Sequence, residues 1–358
     1  MTRKPGPKPK VQDRPLRFAT YNVEWFNALF DNRGNLLEDR EYSARYNITR
    51  AEQIGSLAIV FTALDADGVM IIEAPDTNHR RSTVRALESF AQKFDLRCRK
   101  AVIGFASETE QEIAFLYNPD RLTVLHDPQG EPAPSHGLAG APRFDTARRA
   151  DLDSDGVEDV VRFSKPPLEL AVETKDGLRL RIIGVHAKSK TPHGQVTPEE
   201  FTRISIENRR KQLAECLWLR ARAESHLAAG ENLIVLGDFN DGPGLDAYEK
   251  LFGHSGIEIM MGLDAAPAMR LTDPHADMAI TQRVGLTPTT ARFWLQPKKR
   301  YYEALLDFIM VSPAIAALNP DWRIWHPFDD PIVMEVPELR DALLSASDHF
   351  PVTIDITS

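Results

Sequence analysis

The chain has 358 residues, 42% of them hydrophobic, and a formal net charge of −9. That composition supports a large core and excludes a protein that engages nucleic acid through bulk positive charge, although a locally basic groove is compatible with it. Cys98 and Cys216 lie far apart without zinc-type spacing, and no apolar run reaches the length of a membrane span. A disulfide framework is therefore not expected, and a reduced, cytoplasmic setting without membrane insertion is.

Residues 1–15, MTRKPGPKPKVQDRP, are basic and proline-rich and lack the apolar core of a signal peptide. They read as a disordered tail. The first strand signal, LRFATYNVEW, alternates its faces, so that Phe18, Thr20, Asn22 and Glu24 share one side. A helix is predicted over 47–64, where Ile48, Ala51, Ile54, Leu57 and Ala58 recur at helical spacing. GVMIIEA then forms an apolar run that ends at Glu73, with Pro75 blocking its continuation. A second helix is predicted over 83–94, and EIAFLYN reads as a strand. Residues 128–167 look irregular and include a dense acidic patch. LRLRIIGVHA closes at His186, with Lys188 two positions on and on the same face. A long charged helix over 199–227 carries Ile204, Ile206, Leu213, Leu217 and Leu219. In NLIVLGDFND a strand opens onto Asp238 and Asn240, which share a face. A second irregular stretch covers 262–297. Asp307 interrupts the apolar run ALLDFIMVS, and Asp348 and His349 precede the strand HFPVTIDI.

There is no internal repeat and no linker after the tail. The mixture predicts one α/β domain over 16–358, with layered sheets covered by helices. Irregular stretches as long as 128–167 and 262–297 are uncommon in a compact domain and read as binding loops or lids.

Each polar residue at a strand end has a plain reading as a turn or cap. Asp307 resists it, because an unpaired buried carboxylate is costly and needs a histidine or a cation. The set as a whole is two amides, five carboxylates and two histidines, all close to strand ends. Such oxygen-rich ligands suit Mg²⁺ or Mn²⁺, and the absence of an HExxH motif argues against a zinc-protease site. A hard cation beside an Asp–His pair is what phosphoester hydrolysis needs: charge neutralised on the phosphoryl oxygens, a carboxylate to take a proton from water, and an imidazole to stabilise or protonate the rest.

TYNVEWF, IIEAPD, GVHAKSK, LGDFND, LLDFIMVS and SDHFPV, in that order, resemble the motifs of the endonuclease/exonuclease/phosphatase superfamily over roughly residues 16–356. HAKSK in particular is similar to a segment of bacterial nuclease-like members. The resemblance implies a four-layer α-β-β-α sandwich, two packed mixed sheets flanked by helices, with the site at one end. Glu73 would be the principal Mg²⁺ ligand, with Asn22 and Glu24 beside it, and Asp348 would bind or tune a metal. Asp238 would position or deprotonate the attacking water, and Asn240 would orient it and hold phosphate. His349 would contact the scissile phosphate, fixed by Asp307, and His186 would support the leaving group or the phosphate. Which residue is the general base is left open. Lys165 stands in FSKPPLEL where many members carry arginine; it keeps the charge and loses the bidentate fork.

The expected activity is thus Mg²⁺-dependent hydrolysis of a phosphoester, first of all a phosphodiesterase or nuclease acting on nucleic acid. A phosphomonoesterase or a lipid or inositol-phosphate hydrolase of the same fold is the alternative. A non-catalytic scaffold fits poorly, since no main site position carries an inert residue. Lys188, Lys165 and Arg300 are candidate substrate contacts, with Lys190, Arg292, Lys298 and Lys299 as further cations near a groove. Separately, Asp151, Asp153, Asp155, Gly156 and Asp159 fall at the spacing of a calcium loop, but Arg162 occupies the position that requires a bidentate glutamate. The segment 151–159 is therefore at most a weak Ca²⁺ site, and otherwise a solvated acidic insertion.

Overall fold

Residues 16 to 22 alternate between two environments, and that alternation sets the architecture. In the computed structural model, which describes residues 14–107, 109–151, 156–192, 197–244, 253–281, 288–295 and 299–357, Phe18 packs into an apolar layer on one side of the strand and Ala19 and Tyr21 into another on the opposite side. Both faces of this strand are therefore buried.

In chain order the strands are β1 (Leu16–Asn22), β2 (Gly68–Ala74), β3 (Lys100–Ile103), β4 (Glu112–Tyr117), β5 (Leu122–His126), β6 (Arg148–Ala150), β7 (Asp159–Val161), β8 (Leu168–Thr174), β9 (Arg179–His186) and β10 (Leu233–Asp238). They continue with β11 (Ala291–Leu295), β12 (Arg300–Ala304), β13 (Asp307–Val311), β14 (Asp321–Ile324) and β15 (Val352–Ile356). The three longest helices are α1 (Arg50–Leu64), α2 (Thr83–Lys93) and α3 (Pro198–Ala228), each close to its predicted span. Thr49 and Thr197 start α1 and α3 with capping boxes closed by Glu52 and Glu200, which satisfies backbone N–H groups that the first turn leaves free.

Two sheets carry the fold. One has the order β14-β15-β1-β2-β4-β3 and the other β13-β10-β9-β8-β5. Each is built around one parallel pair, β1 with β2 and β10 with β9, flanked by antiparallel neighbours. Phe18, Met70, Ile72, Phe115 and Ile354 of the first sheet meet Leu170, Ile182, Ile234, Leu236 and Ile309 of the second in the central core. On the outer face of the first sheet lie α1, α2 and the helix Pro337–Ala346 through Ile54, Leu57, Phe61, Phe90 and Leu343. On the outer face of the second lie α3 and two short helices through Trp218, Leu219, Ile257, Met260 and Ala276. This is the expected α-β-β-α sandwich.

The stretches expected to be irregular are partly ordered. Within 128–167, β6 pairs with β7, and Phe144 and Phe163 pack on Trp218 of α3. Within 262–297 lie the helix Pro274–Thr281 and β11. Of the 151–159 segment, Asp153 and Asp155 lie outside the described residues, as do Lys298 of the basic run and nearly all of the 1–15 tail; Asp151 accepts a hydrogen bond from the Gly156 N–H at 3.0 Å. Cys98 and Cys216 are both free and sit in different outer cores. Among the described residues no helix is long and apolar enough to cross a membrane.

One glycine sets how closely the site strands approach. Gly237 of β10 has φ +142°, and a Cβ there would lie 2.0 Å from the Val185 carbonyl oxygen of β9. Gly237→Ala is expected to cost about 3–5 kcal/mol, since both the backbone conformation and the interstrand space exclude a side chain. A shift of the urea midpoint corresponding to less than about 1 kcal/mol would contradict this.

Candidate active site

Parallel neighbours end at the same edge of a sheet, so β1, β2, β9 and β10 all deliver their C-terminal residues to one rim. The inter-sheet rows are apolar along most of their length and turn polar at that rim. On β1, Phe18 and Thr20 lead to Asn22; on β9, Leu180 and Ile182 lead to His186; on β10, Ile234 and Leu236 lead to Asp238. β13 runs antiparallel to β10, so its first residue, Asp307, is the one registered with Asp238. Side chains that alternate with period two therefore place Asn22, His186, Asp238 and Asp307 on the same inward face.

Glu73 reaches the rim differently. The pairing of β2 with β4 shifts register between Ile72 and Ala74, and Glu73 has φ 61°. The bulge breaks the alternation: Ile72 faces the central core, and Ala74 faces the outer one. Bulges re-aim side chains in this way, and here Glu73 Oε1 lies 4.0 Å from His186 Nε2 of the other sheet. The left-handed backbone of a bulky residue at this point costs energy that the surrounding sheet must hold in place.

Asp238 is the hub. Its Oδ1 accepts from the Asn240 N–H at 2.7 Å, and its Oδ2 accepts from Asn22 Nδ2 at 2.9 Å and lies 3.9 Å from His186 Nε2. Burial, reinforced by the charge of Asp307, lifts its carboxyl to about 6. Asn240, with φ 50°, also donates to the Ala187 carbonyl at 3.1 Å, which fixes its amide. Asp307 Oδ2 bonds His349 Nδ1 at 2.7 Å, and the Asp307 N–H donates to Thr290 Oγ1 at 3.0 Å. Burial opposes charge on His349, but the carboxylates of Asp307, Asp238 and Asp348 win and raise it well above the usual histidine range. Ligand atoms of Asp238, Asp307 and His349 all lie within 4.8 Å of one another.

Lys165 sits in the loop before β8, half-buried, with Nζ 3.2 Å from His186 Nε2. Burial lowers its ammonium, while Glu73 and Asp238 oppose that. His186 is driven far below its ordinary value by burial, by Lys165 and by His349, so it is a neutral imidazole. Lys188 lies close enough for its charge to act on Lys165, and its backbone is clamped by Glu215 of α3, which accepts its N–H at 2.8 Å, and by Gln212, which donates to its carbonyl at 2.8 Å.

Three candidates are placed less directly. Glu24 lies beyond the end of β1, in a turn, so strand alternation does not carry it alongside Asn22. Its carboxylate is bound by Arg45 and by Trp25 Nε1 at 3.0 Å. Burial and Asp348 raise it to about 7 even so. Asp348 is half-buried beside His349 and acts on Glu24, Glu73 and His349 through its charge. Arg300 is exposed at the start of β12. The hairpin meets the site at its other end, where Ala291, paired with Ala304, bridges to His349. At the strand rise of about 3.3 Å per residue, Arg300 is therefore held about 13 Å along the hairpin from that bridge.

Several supporting residues carry no motif of their own. Ser347 Oγ donates to the Asn22 carbonyl at 2.8 Å and accepts the N–H groups of Glu24 and His349, joining β1 to the final motif. Asp241, the last residue of GDFND, is fully buried and bonded to Arg209, Lys190 Nζ and the Gly256 N–H. It anchors the loop rather than the chemistry. The one available signal was its place in the motif, which does not distinguish the two roles.

The donor set suits a hard divalent cation. Asn22 turns its amide nitrogen to Asp238 and leaves Oδ1 buried with no hydrogen-bond partner among the described residues. Glu73 is partly buried, receives no hydrogen-bond donor among the described residues, and is lifted to about 7, chiefly by desolvation. A carboxylate and an amide oxygen desolvated at a rim fit a cation that takes oxygen ligands.

The sequence pattern of the Endonuclease/Exonuclease/phosphatase family matches residues 107–349. A search of curated protein sequences finds no match. Among solved structures, the human Nocturnin catalytic domain with bound sulfate superposes with a TM-score of 0.50 at 14% identity, covering 97% of this chain and 96% of that one. TDP2 from D. rerio, complexed with a single-strand DNA product, gives 0.46 at 11% identity, covering 97% and 100%. The mannosyl-6-phosphatase of Bacteroides thetaiotaomicron gives 0.46 at 14%, covering 96% and 100%. The first of these, at 14% identity, shows a likeness of fold alone. The family match, over most of the chain and ending on the buried His349, carries the assignment: this chain belongs to the endonuclease/exonuclease/phosphatase family of phosphoester hydrolases.

Proposed function

We propose that the protein is a divalent-metal-dependent phosphodiesterase that cleaves nucleic acid by attack of water on phosphorus. The observation that carries this reading is the convergence of Asp238, Asp307 and His349 within 4.8 Å, at the rim that also holds Glu73, Asn22 and the Lys165–His186 pair. Glu73 and the free Oδ1 of Asn22 would hold Mg²⁺ or Mn²⁺, with Asp348 adding charge nearby and Glu24 tied to Arg45. When bound, the ion would neutralise charge that develops on the phosphoryl oxygens.

The remaining steps belong to the chain. Asp238 takes the proton from water as the water oxygen bonds to phosphorus; a carboxyl lifted to about 6 is a better base near neutrality than an ordinary aspartate. Asn240 and Asn22 hold that carboxylate in one orientation. His349, kept as an imidazolium by Asp307, donates to a phosphoryl oxygen, and Lys165 offers a second positive charge beside the neutral His186. As the P–O bond to the leaving group breaks, these cations stabilise the departing oxyanion. Of the segment HAKSK, His186 is neutral and Lys190 is bonded to Asp241, so it is Lys188, beside Lys165 at the rim, whose charge favours a nucleic-acid substrate over a small phosphomonoester.

The test is a substrate panel of bis-p-nitrophenyl phosphate, p-nitrophenyl phosphate, single- and double-stranded DNA, RNA, inositol phosphates and sphingomyelin, with Mg²⁺, Mn²⁺ or EDTA. Diester and nucleic-acid cleavage is expected with either metal and abolished by EDTA. Cleavage confined to p-nitrophenyl phosphate would make the protein a phosphomonoesterase. Activity that persists in EDTA, or none with any metal, would reject the mechanism.

A further inference from the structure

A groove leaves the site from Glu73 and is lined by Trp25, Arg50, Arg81, Gln111 and, at its exposed edge, Glu110. Two of these residues are held in unusual states. Arg81 donates from Nε to Asn32 Oδ1 at 2.8 Å and from NH1 to Asn27 Oδ1 at 3.0 Å. Both partners are neutral, and among the described residues no carboxylate pairs with Arg81. Its guanidinium is thus oriented but not neutralised, whereas Arg50 in the same groove is spent on Asp39 at 2.8 Å. Asn27 Oδ1 also accepts the Asp76 N–H at 3.1 Å, which fastens the Arg81 loop to the turn that carries Trp25.

Trp25 is the second. It adopts φ 59°, a left-handed backbone that a bulky residue rarely takes. Its indole is 49% exposed, and its Nε1 edge is tied to Glu24 Oε1. A tryptophan fixed by its edge, with a face left to solvent beside a catalytic rim, is placed as a stacking surface. A rigid, unneutralised guanidinium is placed for an anion that is not the scissile phosphate.

The geometry points to a flanking-nucleotide subsite in the groove beside Glu73, where Arg81 takes the phosphodiester next to the one being cleaved and Trp25 stacks on a base of a single strand. This inference rests on the nucleic-acid reading above and narrows it to unpaired chains, because a base can stack on Trp25 only when it is unpaired. A charge-assisted bond from a guanidinium suits a phosphate oxygen.

The experiment compares wild type, Arg81→Gln, Trp25→Ala and the remote control Arg179→Gln, all confirmed folded by thermal melting, on bis-p-nitrophenyl phosphate and on oligothymidylate with Mg²⁺. The expected result is a KM for oligothymidylate raised about tenfold by either subsite change, with kcat nearly preserved. The ratio of oligothymidylate to small-diester efficiency should fall by a similar factor. Arg81→Gln should also make log(kcat/KM) against log[salt] shallower by about 0.7, the share of one single-strand phosphate contact. Arg179→Gln should change nothing. Equal losses on both substrates, an unchanged salt slope or no effect at all would overturn the subsite while leaving the nuclease reading intact. Wild-type protein that leaves both oligothymidylate and bis-p-nitrophenyl phosphate whole would overturn both.

Discussion

Asp307→Asn is expected to lower kcat/KM by about 10³-fold, nearly as much as His349→Ala, and the double variant should lose little more. The reason is the 2.7 Å bond from His349 Nδ1 to Asp307 Oδ2. An asparagine keeps the shape but removes the charge that holds the imidazole protonated, and it can present an N–H where an acceptor is needed, which permits the wrong tautomer. Both residues are buried at the end of the central core, so no water replaces the lost charge. Steady-state rates on bis-p-nitrophenyl phosphate for the two single variants and the double variant form the cycle. Losses that multiply independently would show that the two residues do not act as a unit.

Glu73→Gln should separate metal binding from folding. Metal-free, the Glu73 carboxyl is raised from an ordinary 4.5 to about 7, chiefly by desolvation. A raised acid favours the folded state only while protonated. Its contribution is therefore complete below about pH 4.5 and is lost as pH rises through about 7. Near pH 8 the ionised group should cost about 3 kcal/mol at most. Removing the charge is thus expected to raise the metal-free melting temperature at pH 8 by about 4 °C, given an unfolding entropy near 2.1 cal/mol/K per residue. The same change should remove most of the Mg²⁺-induced rise in melting temperature seen with wild type and lower activity by about 10³-fold. A variant that melts well below wild type, or one whose Mg²⁺ response is intact, would assign Glu73 a structural role.

Both results depend on residues that the sequence marks without locating. Asn22, His186 and Asp238 were legible because each ends an apolar strand; period-two geometry then fixes which residues share a face, while in β10, apolar on both sides, the sheet decides which face turns inward. α1, α2 and α3 were legible for the same kind of reason, their apolar spacing being helical over several turns. The short strands β3, β5, β6, β7, β11, β12 and β14 escaped, since a few residues with mixed burial carry little periodic signal, and the seven-residue β8 escaped as well. The stretches 128–167 and 262–297 looked irregular because their ordered parts are short and are held by packing on α3 and the second sheet rather than by local pattern.

Taken alone, the amino-acid order determined part of the inventory: the longer apolar strands that carry the site and the three longest helices, which strand ends are polar, and which side-chain chemistries are present for hydrolysis. Local alternation and hydrophobic burial suffice for that, because each depends on near neighbours in the chain. Only the tertiary structure decided the directions. It turned Glu73 inward through a bulge that needs β4 as partner, and it gave Glu24 to Arg45 and kept Arg300 out along a hairpin. It also joined Asn22 to Asp238 across 216 positions of sequence. Bulges, ion pairs and register are set by what lies opposite in space, which no stretch of chain carries within itself.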